Sequence, residues 1–391
     1  MWLTERQVSS RHWFAWSVGL AGLVQLALFA YATGSGLAGT SDSVYYLQAA
    51  RSLRAVGRLL HPDGSAYRYW PPLYPVLVAA VGSLAGLRLL HSACLLGSLL
   101  GWSWLGRKLL PAARAWVLPW ALALGTPGLV VSKFVWGEAV FMLLFAAYAA
   151  ALYQWLRTER NTWLAVATLA GGLLPLQRTI GFFLLAGIGV GLLLRAVKKP
   201  HLRLSTVVHV GLSAPGGLLW HYYALLLAAP SVYQINRGWA QFVSSLADYG
   251  FVVLRWLLPL RASWYGAGAP VGWGIGLVLV LAVSWPRRQP STAVPPAATF
   301  FPRLLWASLA SFLLLILVAT TFTRSAAGLY DAERYASVIF GPLVLLLLGQ
   351  LPKAGRWLLV SALGVWLTYS AARACSNARA LRQLPAISAA R

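Results

Sequence analysis

The chain has 391 residues, of which 59% are hydrophobic and only 10% are charged, and its formal net charge is +24. Soluble domains carry about 25% charged residues, so this composition excludes a water-soluble globular protein. The Lys and Arg residues are dispersed through the joints between apolar runs and form no basic domain or nucleic-acid motif. Membrane lipid is therefore the expected partner, and nucleic acid is not.

Apolar runs of about 20 residues, the length that crosses a bilayer core, recur along the whole chain. They predict an all-α membrane protein, a single polytopic helical bundle over residues 1–391 with no soluble C-terminal domain. The eleven predicted spans are 13–32, 87–106, 115–133, 137–156, 163–177, 179–195, 205–226, 267–284, 304–322, 336–351 and 357–372. The run 72–87 is ambiguous, and we interpret it as a juxtamembrane or half-buried helix, since a full crossing would place the basic joint 107–114 outside.

Short basic joints predict the orientation. With the N-terminus in the cytoplasm, the joints 107–114, 157–160, 195–203, 287–303 and 353–356 all face the cytoplasm. The first outer loop is then 33–86. The acidic residues that fall on the outer side are Asp42, Asp63, Glu138, Asp248, Asp331 and Glu333. We expect a multi-pass protein of the cell inner membrane whose acid and base chemistry lies at the outer face.

The first outer loop contains a predicted surface helix that begins near Asp42. Its apolar residues share one face, and Arg51, Arg54 and Arg58 share a roughly opposite face, where they could meet lipid headgroups or phosphates. Two interpretations of Asp42 stay open from the residues alone. It caps the helix N-terminus together with Ser41 or Thr40, or it is a catalytic base.

Two further charged residues stand next to predicted spans. Glu138 opens a span, where a carboxylate is either functional or a solvated group favoured by the helix dipole. Arg178 lies between two short apolar runs and is either a snorkelling spacer or a ligand for phosphate, which a guanidinium binds in bidentate fashion.

The last predicted outer loop carries a polar cluster, Tyr330-Asp331-Ala332-Glu333-Arg334-Tyr335, directly before a span. Local salt bridges among Asp331, Glu333 and Arg334 are the simplest interpretation. The sequence has no nucleotide-binding loop, nucleophile elbow or zinc-protease pattern, and its two cysteines cannot form a disulfide framework or a thiolate metal site.

These motifs occur in an order that resembles bacterial members of the GT-C superfamily, the membrane glycosyltransferases that use polyprenyl-phosphate sugars, including the protein mannosyltransferase and aminoarabinose transferase relatives. The matching segments are Ser41-Asp42-Ser43-Val44-Tyr45-Tyr46, Tyr69-Trp70-Pro71-Pro72-Leu73-Tyr74-Pro75, Gly137-Glu138-Ala139, Gln177-Arg178-Thr179-Ile180-Gly181 and Glu333-Arg334-Tyr335. The order covers most of the chain, from Trp13 to Gly341.

The resemblance implies a GT-C fold and an inverting transfer of sugar from a polyprenyl-phosphate donor to a lipid, glycan or protein acceptor. It implies that Asp42 is the catalytic base, that Glu138 is the second-loop acid, and that Arg334 meets the lipid phosphate. Arg178 and the first-loop arginines are the further candidates for donor phosphate binding. Because Ser41 and Ser43 flank Asp42 in place of a second acid, no metal site is assigned, although a divalent metal remains an open alternative.

Two other functional classes are alternatives to an enzyme. A transporter or lipid flippase would place charged or helix-breaking groups near the middle of spans, in two related halves, and several prolines within the predicted spans keep this alternative open. A non-catalytic scaffold would not require acidic residues on one face. The sequence ranks enzyme first, transporter second and scaffold third.

Overall fold

A computed structural model describes residues 2–68, 70–227, 238–267, 270–287, 296–321, 328–351 and 356–387. These residues form α-helices joined by short turns, with two isolated β-bridges and no strand. The helices are α1 Trp2–Ala32, α2 Ser41–Val56, α3 Leu73–Val81, α4 Leu84–Leu109, α5 Ala112–Ala115, α6 Val117–Ala123, α7 Thr126–Lys133, α8 Glu138–Thr158, α9 Asn161–Gln177, α10 Ile180–Lys198, α11 Arg203–Ser213, α12 Pro215–Leu227, α13 Gly238–Leu257, α14 Trp264–Ala267, α15 Pro270–Ser284, α16 Pro296–Thr321, α17 Leu329–Ala336, α18 Phe340–Gln350 and α19 Arg356–Gln383.

Seven helices in the described part of the chain are long and apolar enough to cross a membrane, so the chain is a multi-pass membrane protein. They are His12–Ala32, Leu84–Leu109, Glu138–Thr158, Ile180–Lys198, Ala297–Thr321, Leu329–Gln350 and Trp357–Gln383. Each contains a predicted span or most of one.

The prediction of eleven spans is not confirmed, because the other four predicted spans are short or interrupted helices. The run 115–133 divides into α6 and α7 at Gly125, and the run 205–226 divides into α11 and α12 before Pro215, a residue that cannot donate the helical hydrogen bond. The runs 163–177 and 267–284 form helices of 17 and 15 residues.

The segment 33–86 contains two short helices, as the sequence predicts, although which side of the membrane they occupy stays a prediction. Helix α2 begins after Thr40 and ends at Gly57, and α3 ends at Gly82; both glycines adopt a left-handed conformation, with φ of 69° and 79°, that other residues rarely adopt. At nine residues, α3 is about 14 Å long and too short to cross the bilayer. The run 72–87 is not one helix, because it divides at Gly82 and Ser83 and its last residues begin α4.

Helix α8 lies at the centre of the bundle. It packs against α4 and α9. Of the residues in the most apolar stretch of this helix, 67% are buried, compared with 22% in α1 and 11% in α19. The buried aromatic residues Phe141, Phe145 and Trp155 run along it. The N-terminus of this central helix, at Glu138, is where the functional residues predicted from the sequence converge.

Candidate active site

Four predicted site residues come together from four separate parts of the chain. Asp42 lies in the first turn of α2, Glu138 begins α8, Arg178 lies in the joint between α9 and α10, and Arg334 lies in α17. All four positions are at or close to helix ends, at one end of the bundle.

Backbone hydrogen bonds join the two connections that precede α2 and α8. The Ala38 N–H donates to the carbonyl of Lys133 at 2.9 Å, and the Val135 N–H donates to the carbonyl of Ala38 at 3.0 Å. This short parallel bridge joins the connection before α2 to the connection before α8. It fixes Asp42 and Glu138 in register, although they are far apart in the sequence.

A buried lysine anchors the same region. The Lys133 side chain has no exposed surface, and its Nζ donates to the carbonyls of Ala32 and Gly36 and to the Ser35 hydroxyl at 2.8–3.0 Å. The carbonyls at the end of α1 have no partners within the helix. Lys133 therefore ties the end of α1, and with it the start of the connection to Asp42, to the end of α7.

Arg334 joins both candidate carboxylates. Its Nε donates to Glu138 Oε1 at 2.6 Å, and its Nη1 donates to Asp42 Oδ2 at 2.7 Å. The guanidinium carbon also lies 4.1 Å from the centre of the Trp136 ring, a distance suited to a cation–π interaction. Two of the three guanidinium nitrogens of Arg334 are thus committed to carboxylates.

Arg178 is the second arginine that contacts the carboxylate of Glu138. Its Nη2 lies 3.2 Å from Glu138 Oε1, and its Nη1 donates to the Tyr46 hydroxyl at 3.0 Å. Burial raises the pKa of Tyr46, so this phenol stays neutral. The cluster of Asp42, Glu138, Arg178 and Arg334, called the Arg334 cluster below, carries two negative and two positive charges.

The members of the Arg334 cluster differ in how far solvent reaches them. The exposed fraction of the side chain is 19% for Asp42, 0% for Glu138, 6% for Arg178 and 5% for Arg334. Asp42 is thus the more accessible of the two carboxylates. Glu138 Oε2 and Arg334 Nη2 are buried and have no hydrogen-bond partner in the described part of the chain.

The N-terminus of α2 is capped by Thr40, one of the two residues predicted to share this role with Asp42. Thr40 occupies the N-cap position of α2, and its N–H donates to the Ser43 hydroxyl at 3.0 Å. The Thr40 hydroxyl in turn accepts from Trp136 Nε1 at 2.9 Å. The carboxylate of Asp42 is turned instead towards Arg334.

The prediction of local salt bridges within α17 is wrong for Arg334 and Glu333. Arg334 pairs with Glu138 and Asp42, and Glu333 lies 3.7 Å from Arg373 of α19. Residues one apart on a helix point to different sides, so adjacent charges in the sequence find partners on different helices.

The three first-loop arginines do not join the Arg334 cluster. Arg54 and Arg58 are exposed and Arg51 is half-buried, and Arg54 donates to the carbonyl of Gly82 at 3.1 Å. No ion pair within the described ranges links them to Asp42 or Glu138. Their role in binding the donor phosphate stays a prediction.

Aromatic residues around the Arg334 cluster were not singled out from the sequence. Tyr46, on the same helix as Asp42, binds Arg178. The Trp136 ring covers Arg334, and the Tyr335 ring centre lies 5.4 Å from the guanidinium carbon of Arg178. Trp136 lies two residues before Glu138, and Tyr335 directly follows Arg334. An aromatic residue next to a charged residue at the end of a span was therefore the sequence feature that could have identified them.

Within the part of the chain that the structure describes, no group of three or more His, Cys, Asp or Glu residues is placed to hold a metal ion. A cavity of about 1100 Å³ lies between α1, α4 and α6, away from Asp42 and Glu138. The Arg334 cluster is identified by its charges and contacts and not by cavity size.

Comparison with known proteins gives a match at the level of fold. No family model matches the sequence, and no curated protein matches it. The solved structure of ArnT from Cupriavidus metallidurans bound to undecaprenyl phosphate is similar, with a TM-score of 0.55 and 17% identity over 87% of this chain and 61% of that chain. The apo state of the same ArnT gives a TM-score of 0.43 and 15% identity over 87% of this chain and 77% of that chain. This chain therefore has a GT-C-like fold and spans 61% of the length of the undecaprenyl phosphate-bound structure.

Proposed function

We propose that the chain is a membrane glycosyltransferase that transfers a sugar from a polyprenyl-phosphate donor to a hydroxyl of a lipid, glycan or protein acceptor. The observation that carries the proposal is the contact of Arg334 with both Asp42 and Glu138. In a fold shared with a structure that binds undecaprenyl phosphate, this contact gathers the base and cations that such a transfer needs.

Asp42 is the proposed general base. Its Oδ2 accepts from Arg334 while the carboxylate keeps 19% exposure, so a substrate hydroxyl can reach it. In the transfer, the acceptor oxygen bonds to the anomeric carbon and its proton passes to Asp42. The bond between that carbon and the phosphate oxygen breaks, and polyprenyl phosphate leaves with the electron pair. Attack from the side opposite the phosphate inverts the configuration.

Glu138 is proposed as a positioning residue, because its side chain has no exposed surface and contacts two guanidinium groups. It fixes the side chain of Arg334, which fixes Asp42. Preorganised charges of this kind stabilise a transition state without reorganising during the reaction.

Arg334 and Arg178 are proposed to stabilise the departing phosphate. Arg334 Nη2 is the one nitrogen of its guanidinium without a hydrogen-bond partner in the described residues. The first-loop arginines are the further candidates for this charge. Arg51 and Arg54 lie on α2, and Arg58 follows the glycine that ends this helix.

The proposed location is the cell inner membrane, with the N-terminus in the cytoplasm and the Arg334 cluster at the outer face. The transporter alternative is less well supported. Asp42, Glu138 and Arg178 lie at helix ends, whereas coupling residues of secondary transporters lie near the middle of the membrane.

The test is direct transfer. Purified full-length protein in lipid is incubated with radiolabelled polyprenyl-phosphate sugars and a panel of lipid, glycan and protein acceptors, and the Asp42→Asn variant serves as the matched control. Transfer of label by the wild type, with its loss in the variant, supports the proposal. Label that moves across the membrane without becoming bonded to an acceptor would favour the transporter.

A further inference from the structure

The side chain of Trp136 contacts both the start of the helix that carries Asp42 and the guanidinium of Arg334. It has no exposed surface. Its Nε1 donates to the Thr40 hydroxyl at 2.9 Å, and the guanidinium carbon of Arg334 lies over its ring, 4.1 Å from the ring centre. An indole offers a hydrogen-bond donor at its edge and an electron-rich face for a cation. Trp136 uses both, and it uses them towards two distant parts of the chain.

Neighbouring groups hold Trp136 in place. The Val135 N–H donates to the carbonyl of Ala38 at 3.0 Å, which fixes the backbone beside the indole. The Phe134 ring stacks on the indole, with ring centres 4.3 Å apart and planes 15° apart, and the Tyr330 ring meets it edge-on at 5.5 Å. A large planar group packed in this way cannot rotate without displacing its neighbours. Trp136 is therefore a rigid reference for the two groups that it contacts.

The hydrogen bond to Thr40 fixes the start of α2. A buried indole N–H needs an acceptor, and the Thr40 hydroxyl supplies it. Thr40 is the N-cap residue of α2, and Asp42 lies two residues later, in the first turn. Because the backbone of a helical turn is rigid, the position of Thr40 against Trp136 determines where the carboxylate of Asp42 begins.

The ring face fixes the other partner, Arg334. Two nitrogens of its guanidinium donate to Glu138 and Asp42, and a planar group held by two bonds can still tilt about the line that joins them. The Trp136 ring is a third contact of the same group, which removes this freedom. The Arg334 side chain is 5% exposed, so the cation is largely desolvated, the setting in which a cation–π interaction is strongest.

We propose that Trp136 is a positioning residue for the reaction, an inference that rests on the proposed transferase function. It sets the place of Asp42 through Thr40 and the place of Arg334 through its ring, so that the base and the cation keep one geometry. It does not touch a substrate, because it is fully buried. Misplacing a reacting group by about 1 Å can cost up to a hundredfold in rate, so a residue without substrate contact can still control turnover.

Fluorinated tryptophans test the ring contact. Tryptophan with one, two or four ring fluorines is incorporated site-specifically at position 136 of the full-length protein in lipid. Fluorine draws electron density from the ring face and weakens its hold on a cation, with little change of shape. We expect the transfer rate to fall stepwise, by about tenfold across the series.

The matched control is the same series at Trp306. Its Nε1 also donates, to the carbonyl of Leu281 at 2.9 Å, but its ring meets the Trp285 ring edge-on. Transfer should stay constant across this series. An equal decline at both positions, or a constant rate across the series at position 136, would overturn the role of the ring face.

A double-mutant cycle tests the hydrogen bond. Thr40→Val keeps the shape of the side chain and removes the acceptor, so transfer should fall severalfold, whereas Thr40→Ser keeps the hydroxyl and should retain most of the rate. In Trp136→Phe, which lacks the N–H, Thr40→Val should cause little further loss, because the bond is already absent. Additive losses of rate from the two substitutions would show that the bond does not position the base.

Stability measurements separate this inference from the proposed function. Absence of transfer by the wild type would refute the function, and Trp136 is then tested by unfolding. Fluorination at position 136 should lower the free energy of unfolding in the wild type but not in Arg334→Met. If that variant does not fold, Arg334→Met combined with Glu138→Gln removes a cation and a carboxylate together and takes its place. Equal losses with and without Arg334 would overturn the coupling.

Discussion

Replacing Glu138 with Gln should both destabilise the protein and slow sugar transfer, because both effects depend on the contacts of Glu138 with Arg334 and Arg178. Glu138 Oε1 accepts from Arg334 at 2.6 Å and lies 3.2 Å from Arg178 Nη2, with no part of the side chain exposed. Gln keeps the shape and one acceptor oxygen but removes the negative charge. Two buried guanidinium groups then share Asp42 as their counter-charge within the Arg334 cluster. Removing one partner of a buried ion pair typically costs about 3–5 kcal/mol.

The matched control is the same substitution at Glu159. This carboxylate has more ion-pair partners, Arg195 at 3.9 Å, Lys199 at 3.6 Å and His201 at 3.4 Å, but its side chain is 43% exposed. Exposed pairs contribute about 0–1 kcal/mol because water and salt screen them. Glu159→Gln should therefore leave stability and transfer nearly unchanged. Burial, and not the number of partners, decides the difference.

The free energy of unfolding is measured for both variants and the wild type in mixed micelles with increasing denaturing detergent, and the transfer rate is measured on the folded fraction. We expect Glu138→Gln to lose about 3 kcal/mol or more and to transfer more slowly, since Arg334 is no longer fixed against Asp42. A loss no larger than that of Glu159→Gln, with normal transfer, would refute the interpretation of Glu138 as the anchor of the site.

Three other predictions follow from the site and the topology. Asp42→Asn should lower the transfer rate by about a hundredfold or more while costing less stability than Glu138→Gln, because Thr40 caps the helix; normal turnover in this variant would exclude Asp42 as the base. Arg334→Lys cannot reproduce the planar contact with both carboxylates and should weaken donor use, whereas unchanged apparent donor affinity in Arg334→Ala would remove this residue from the site. Single cysteines at Ser65 and Thr158, in a background where the exposed Cys375 is replaced by Ser, should be labelled by an impermeant thiol reagent from outside and from inside respectively; the reverse pattern would overturn the orientation.

The sequence predicts the long helices better than the interrupted ones. A hydropathy window detects an apolar run such as 205–226 but not the break before Pro215 that divides it into two helices. The GT-C-like fold was predicted from the order of motifs around Asp42, Glu138 and Arg334, and the structure brings these three side chains into contact. The pairing itself could not be predicted, because it depends on how α17 packs against α13 and α7.

Individual partners were predicted less well for the same physical reason. Local charge patterns suggested that Arg334 pairs within its own loop, whereas it binds carboxylates that lie 196 and 292 residues away in the chain. Glu333, its neighbour, is directed to α19. Long-range pairing is set by tertiary packing, which a single sequence does not reveal, while the residue types that need partners can be identified from their cost in a membrane.

The geometry of Arg334 limits how it can serve in the proposed reaction. A guanidinium binds phosphate best through two parallel N–H groups, but Nε and Nη1 of Arg334 already donate to Glu138 and Asp42, which leaves Nη2 as its nitrogen without a hydrogen-bond partner in the described chain. A phosphate that approaches the cluster as it stands is thus limited to the remaining N–H groups of Nη1 and Nη2, of which Nη2 is buried, and the four cluster charges already balance. Further positive charge must then come from outside the cluster, which gives the arginines that follow Asp42 on α2 a reason to act on the donor. When Asp42 takes the proton of the acceptor, its charge is neutralised and Arg334 is partly released, so the cluster gains positive charge at the moment when the phosphate leaves. One arginine would in this way couple the base to the leaving group.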